Sequence, residues 1–321
     1  MADSRSLRRV QLALLPVLLI VEFLVFSLLS PRFFTPENLA NIAYNSADLA
    51  LVAAGVTLVV ILGGIDVSTG FAVGIVAWTV AKLSGTGLPA FVVILAALVV
   101  GALLGAINGS LVTFGKVPPI IATLGTAAIF QTALFALWNS NDLFSSPIAP
   151  IFSGERVLGV PMVVALVIAV YALLAWFMHR RPSGRELYAT GSNPEAARLS
   201  GIRVKRLTFL SYLTIGVLVG LAGLIYVGRV GVVQASSGNE LTLLAIAAVV
   251  VGGTSILGGE GSVLRTLGGL VFIVVLQNGI VLAGVPPLWN GLMVGTTIIL
   301  AVAIDVLAAR KANRPLLRGL A

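Results

Sequence analysis

The stretch His179–Arg206, HRRPSGRELYATGSNPEAARLSGIRVKR, is a polar, strongly basic island in a chain that is otherwise almost continuously apolar. On either side of it the sequence returns to long runs of Leu, Val, Ile, Ala and Gly. That contrast decides the fold class. A water-soluble globule needs polar residues spread along every element to cover its surface. Here they are collected into short connections between apolar runs, which is the pattern of a polytopic α-helical membrane protein.

Composition agrees. Of 321 residues, 58% are hydrophobic and 10% charged, and the mean hydropathy is +1.08. The 35 glycines suit closely approaching membrane helices. There is no cysteine, which excludes disulfides, thiol catalysis and thiolate metal sites, and His179 is the single histidine. No cleavable leader is expected, because the first apolar run lacks a small-residue cleavage site.

Hydropathy divides the chain into about ten spans of roughly the length that crosses a bilayer. They are expected near Leu12–Leu29, Asp48–Leu62, Ser68–Leu83, Pro89–Thr113, Pro119–Trp138, Val160–Met178, Leu207–Gly228, Leu241–Leu257, Thr266–Ala283 and Leu288–Leu307. The second, third and eighth are short and bounded by glycine, the signature of broken or re-entrant helices. The whole chain, residues 1–321, reads as one transmembrane domain, with 179–206 as a loop within it. Of the 20 lysines and arginines, all but Arg32, Lys82, Arg156 and Arg229 fall on the side that holds the N-terminus, the C-terminus and the 179–206 loop. The positive-inside rule makes that side cytoplasmic and gives the net charge of +8 an orienting role.

A faint internal repeat is present. Asn108-Gly109 precedes Gly115-Lys116-Val117-Pro118-Pro119, and Asn278-Gly279 precedes Gly284-Val285-Pro286-Pro287. The two copies end spans running in opposite directions, which points to an inverted repeat relating spans two to five to spans seven to ten. Two helices that each start on Val-Pro-Pro would look the same.

Several local patterns carry chemistry. Asn193-Pro194 is a helix start, with Asn as cap, Pro at the first position and Glu195 in the first turn, where a carboxylate is favoured. Ala196, Ala197 and Leu199 would give that helix a small apolar face for a groove on a partner; an ordinary surface loop is the other reading. Asp66, set between two apolar runs with Ser68 and Thr69 after it, is either an N-cap at a membrane-buried break or part of a polar path. Glu22, Asn108, Gln131, Gln277, Asn278 and Asn290 fall inside spans. There they serve either interhelical hydrogen bonding or a polar path. Gly101, Gly105 and Gly109, spaced by four, form a packing stripe. The cluster Gly252-Gly253 and Gly258-Gly259-Glu260-Gly261 has no following Gly-Lys-Ser/Thr, so it reads as a tight turn rather than a phosphate cradle.

Longer motifs carry a resemblance. Arg185-Glu186-Leu187-Tyr188-Ala189-Thr190-Gly191-Ser192-Asn193-Pro194-Glu195-Ala196-Ala197-Arg198-Leu199-Ser200-Gly201-Ile202 resembles the cytoplasmic coupling segment of ribose-type sugar permeases of bacterial ATP-binding-cassette importers. Gly63-Gly64-Ile65-Asp66-Val67-Ser68-Thr69-Gly70 is similar to that family's Gly-Gly-Ile-Asp-Leu-Ser-Val-Gly motif. The run from Ala245 to Ser262 is similar to its late glycine-rich signature, and Ile121-Ala122-Thr123-Leu124-Gly125-Thr126 also fits. The Ile-x-Leu-Pro that follows the glycine in the wider importer pattern is missing after Gly201.

The resemblance implies a permease subunit with no enzymatic site, in the bacterial inner membrane, importing a monosaccharide or related sugar. It implies Gly191, Asn193, Glu195, Ala196, Ala197 and Gly201 as ATPase-coupling residues; Asp66, Ser68, Asn108, Gln131 and Asn278, polar residues in or beside the spans, are the candidates for the translocation path. Partners would be cytoplasmic ATPase subunits that hydrolyse ATP with Mg, a second permease copy or paralogue, and an extracytoplasmic sugar-binding protein. No cofactor, metal or nucleic acid is expected on this chain. The alternatives are a permease for branched-chain amino acids or nucleosides in a related importer, or an ion-driven secondary carrier. The last would have no use for an ATPase dock.

Overall fold

The computed structural model describes residues 2–145, 148–292, 295–297, 299, 300 and 303; the tenth expected span and the basic residues Arg310, Lys311, Arg314 and Arg318 lie largely or wholly outside them. The fold is a helical bundle. In chain order the helices are α1 (Ala2–Leu29), α2 (Pro36–Asn45), α3 (Ala47–Ile61), α4 (Thr69–Ser84), α5 (Ala90–Thr113), α6 (Pro119–Trp138), α7 (Met162–Arg180), α8 (Pro182–Ser192), α9 (Pro194–Leu199), α10 (Val204–Val230), α11 (Asn239–Val251) and α12 (Val263–Leu282). Two-residue strands pair 143–144 with 232–233 and 156–157 with 160–161 in the connections.

Among the described residues five helices, α5, α6, α7, α10 and α12, are long and apolar enough to cross a membrane singly. The pair α2 and α3, bent by 50° at Ser46, makes a sixth crossing if counted as one span. The expected second span, Asp48–Leu62, thus coincides with α3, the second half of that bent pair. Thr35 accepts from the Asn38 N–H at 3.3 Å and Pro36 occupies the first position, so α2 has its own start signal.

α3 lies at the centre. All fifteen of its residues are buried, which is what a helix apolar on every face requires. α10 packs along it, and α5 packs along α10. α5 shows how one apolar sequence serves two surroundings. Phe91, Leu95, Val99, Leu103 and Ile107 point outward, while Val93, Ala97, Gly101, Gly105 and Gly109 are buried. Both sets repeat every four residues, so they occupy separate faces.

The inward set is the packing stripe. A Cβ on Gly101 would meet Gly216 O, with Gly220 N at 2.7 Å, and one on Gly105 would meet Tyr212 O, with Gly216 Cα at 2.8 Å. The two backbones therefore touch, and four glycines on two helices make that contact possible.

α4 and α11, of 16 and 13 residues, are too short to span alone. They begin against each other. Thr242 Oγ1, on α11, accepts the Gly70 N–H of α4 at 2.7 Å and lies 3.4 Å from Thr69 Oγ1. From there α4 runs to the end of the bundle where Ser84 bonds Ser145 at 2.7 Å, and α11 runs to the end that carries 179–206. Packing is reciprocal: α3 contacts α11 and α12 as α10 contacts α4 and α5.

Candidate functional site: the 179–206 segment and its seat

The chain turns sharply after α7, and Pro182 opens α8 at its first position. α9 starts as the sequence predicts: Asn193 Oδ1 accepts the N–H groups of Glu195 and Ala196, both at 3.1 Å. It ends as a Schellman motif. The Gly201 N–H bonds Arg198 O and the Ile202 N–H bonds Ala197 O, each at 3.0 Å. Gly201 sits at φ +83° with open space around it. The constraint there is left-handed backbone, which a side chain adopts only with strain.

One expectation is corrected. Ala196, Ala197 and Leu199 do not share an outward face: Ala197 is buried against the bundle, while Ala196 is exposed and Leu199 is 78% exposed. A helix this short presents different residues to opposite sides, and Ala197 is the one turned inward. Arg198 and Glu195 pair at 2.6 Å on the exposed side. An ion pair so open to water is screened by solvent and salt and contributes little.

α8 seats on two glycine-rich turns. A Cβ on Gly191 would strike Ile61 O, the last residue of α3, with Gly259 N at 2.6 Å. Gly259 N–H bonds that same Ile61 O at 2.8 Å, and Tyr188 donates to Gly261 O at 3.1 Å. Burial pushes the Tyr188 phenol up, with Arg265 opposing, so it stays a neutral donor. Ideal Cβ positions on Gly258 lie 2.8 Å from Gly63 N and 2.9 Å from Gly191 O. Three segments distant in sequence, 61–64, 191–192 and 258–261, thus meet backbone to backbone. The turn reading of the late glycines holds, and their contact with Gly191 is what the sequence did not reveal.

Past this node the 62–68 turn leads to a buried polar network. Asp66 Oδ1 accepts from the Ser68 N–H at 2.9 Å and from Ser68 Oγ at 2.7 Å. Asn108 on α5 donates to Ser68 Oγ at 2.7 Å and accepts from Thr126 on α6 at 2.6 Å, and Thr123 donates to Ile65 O at 2.9 Å. Asp66, Ser68, Asn108, Thr123 and Thr126 are all buried. The network ties the broken α3–α4 connection to α5 and α6.

Of the five path candidates, Asp66, Ser68 and Asn108 come together here and the other two do not. Gln131 is exposed on the outer face of α6. Asn278 exchanges two hydrogen bonds with Asn38 on α2, at 2.9 and 3.1 Å, the interhelical alternative.

Reasoning from sequence missed Thr242, since a lone threonine in an apolar run looks like any β-branched residue, and it gave Thr123 and Thr126 only as part of a motif, without their bonds. It also missed Asp48 and Arg229, which pair at 2.8 Å where α3 begins and α10 ends. Among the described residues no group of three or more His, Cys, Asp or Glu could hold a metal ion.

Comparison with known proteins agrees with this architecture. Residues 38–302 match the family model described as branched-chain amino acid transport system / permease component. The ribose import permease protein RbsC of Escherichia coli K12 is 37% identical over 300 residues, covering 90% of this chain and 92% of that one. RbsC of Bacillus subtilis is 36% identical, covering 89% and 90%. The autoinducer 2 import system permease protein LsrC of Escherichia coli O157:H7 is 32% identical, covering 91% and 85%. No solved structure matches. With a family match over most of its length and full-length relatives named as import permeases, the chain belongs to the branched-chain amino acid transport system permease family, as an integral membrane permease subunit of the ribose-import type.

Proposed function

We propose that this chain is the membrane subunit of an ATP-driven importer for a monosaccharide such as ribose, moved by cytoplasmic ATPases that dock on α8 and α9. The observation that carries the reading is the seating of Gly191 against Ile61 and Gly259. A push on the exposed α8–α9 corner reaches the ends of α3 and α11 and the start of α12 with no mobile side chain between. Asn193, Glu195, Ala196 and Leu199 face the ATPase. Ala197, Gly191 and the Gly201 turn hold the helix pair to the bundle.

The topology proposed has ten spans with both termini cytoplasmic. Its support is the gathering of Lys116, Arg180, Arg181, Arg185, Arg198, Arg203, Lys205, Arg206 and Arg265 in the connections at the α8–α9 end. The reciprocal packing of α3 with α11 and α12, and of α10 with α4 and α5, supports an inverted repeat. ATP and Mg belong to the ATPase. Two permease copies, or one and a paralogue, frame the path in the bacterial inner membrane, and an extracytoplasmic binding protein delivers the sugar. In this reading Gln131, exposed on α6, borders that path, and the Asp66 network is a tie behind it. The relatives' names favour a sugar over the amino acid of the family description.

The test is reconstitution. Proteoliposomes with this chain alone should take up no D-ribose under any H⁺ or Na⁺ gradient. Uptake should appear with the ATPase, ATP and binding protein added. Gradient-driven uptake by the isolated chain would establish a secondary carrier instead. In the full complex, Gly201→Arg should insert normally and lose uptake; normal uptake would remove α9 from the coupling route.

A further inference from the structure

Beside the glycine node is a cavity of about 230 Å³, walled by α3, α5, α6, α8, α9 and α10. Its apolar walls include Val59, Leu62, Val112, Pro119 and Val204. Three hydroxyls there are buried without a hydrogen-bond partner among the described residues: Thr113 Oγ1, Thr190 Oγ1 and Tyr212 OH. Their residues are 6%, 2% and 1% exposed. Buried polar groups are nearly always paired, so three orphans around one cavity mark a place built for an occupant. Each belongs to a different element: Thr113 ends α5, Thr190 is on α8 and Tyr212 is on α10.

We infer that this cavity binds a small neutral polyol of monosaccharide size on the cytoplasmic side, and that occupancy slows the transport cycle. The chemistry selects the class. A hydroxyl both donates and accepts, so three converging hydroxyls match a ligand whose groups do the same. No charged side chain is buried in the wall; Lys205 is at the border and exposed. An anion or a zwitterion would leave its charge without a buried partner, at high cost. The mix of apolar wall with few polar groups is that of a small-molecule site, and about 230 Å³ restricts the occupant to a small one.

The inhibitory role follows from position and rests on the function proposed above. A ligand bonded to Thr190 on α8 and to Tyr212 and Thr113 on the α5–α10 pair fastens the moving corner to the bundle. Whichever conformation makes all three bonds is favoured by occupancy. The imported sugar, accumulating inside, is the natural occupant, and the site would report its cytoplasmic concentration back to the transporter.

Proteoliposomes holding the complete complex with ATPases outward expose the cytoplasmic face. Binding protein and D-ribose are enclosed within. External D-ribose should lower ATP turnover severalfold, while L-valine and phosphate should not. Tyr212→Phe and Thr190→Val remove hydroxyls and keep shape. Each, measured against its own uninhibited rate, should raise the half-inhibitory ribose concentration about 5- to 10-fold.

Equilibrium dialysis of radiolabelled D-ribose with the purified full chain should show the same loss. A transporting complex unaffected by external ribose would overturn the inference, as would inhibition unchanged in both variants. Equal inhibition by L-valine would do the same. Water as the sole occupant predicts no ribose-dependent difference in either assay. A complex that fails to transport, together with variant-sensitive ribose binding by the chain, would instead refute the importer reading and leave the site standing.

Discussion

Arg229→Met should be the most destabilising single change at the end of the bundle opposite α8–α9. Arg229 Nη2 and Nε both donate to Asp48 Oδ2, at 2.8 and 3.2 Å. The Asp48 side chain has no exposure and that of Arg229 has 20%. Removing one partner of a buried pair costs about 3–5 kcal/mol, because the other charge stays buried and unpaired. Here the partner left behind is the fully enclosed carboxylate. Among the described residues its Oδ1 accepts only the neighbouring Leu49 N–H, at 2.9 Å. Water can reach the site through the partly exposed arginine, so the low end, about 3 kcal/mol, is expected.

Asp48→Asn should cost less, since the guanidinium left behind can turn towards solvent. The double change Asp48→Leu with Arg229→Met should lie within about 1 kcal/mol of the starting protein, because it removes both desolvation penalties together. Reversible unfolding in mixed detergent micelles, as the SDS fraction is raised, reads all three. An Arg229→Met protein within about 1 kcal/mol of the parent, or less damaged than Asp48→Asn, would refute the claim that carboxylate burial sets the cost.

Gly105→Leu should sharply reduce folded yield, since its Cβ alone already overlaps the α10 backbone; Gly125→Leu, where no atom lies within 4 Å, should be silent in the same yield assay. Gly191→Val should leave insertion intact but abolish ATP-driven uptake; a working Gly191→Val complex would disprove the seat as transmission. Asp66→Asn should be nearly silent in stability and transport, because an amide oxygen still accepts the Ser68 bonds, whereas Asp66→Leu should lower the melting temperature by several degrees. Glu22→Leu should raise stability by about 1 kcal/mol or more, as both Glu22 oxygens are buried without a partner among the described residues.

What the sequence told well was local. The cap at Asn193 and the four-residue glycine period of α5 each rest on residues within one or two helical turns, where spacing is geometry. The break before α4 was legible for the same reason. What stayed hidden were meetings between distant segments. Nothing local distinguishes Thr242, which caps a helix some 170 residues earlier, or a glycine at 191 that must be small because Ile61 and Gly259 lie against it. Asn278 looked like a path residue because an amide inside a span is ambiguous until its neighbour, Asn38, is known.

The node where 61–64, 191–192 and 258–261 meet has one further property, which is its compliance. A contact through long side chains yields under load, because rotamers hop before the backbone moves. A contact of main chain on main chain has no such slack, so a displacement of α8 is handed on rather than absorbed. If α8 takes the ATPase stroke as proposed, the stiffness of the linkage is set by Gly191, Gly258 and Gly259 and is independent of whatever side chains line the path.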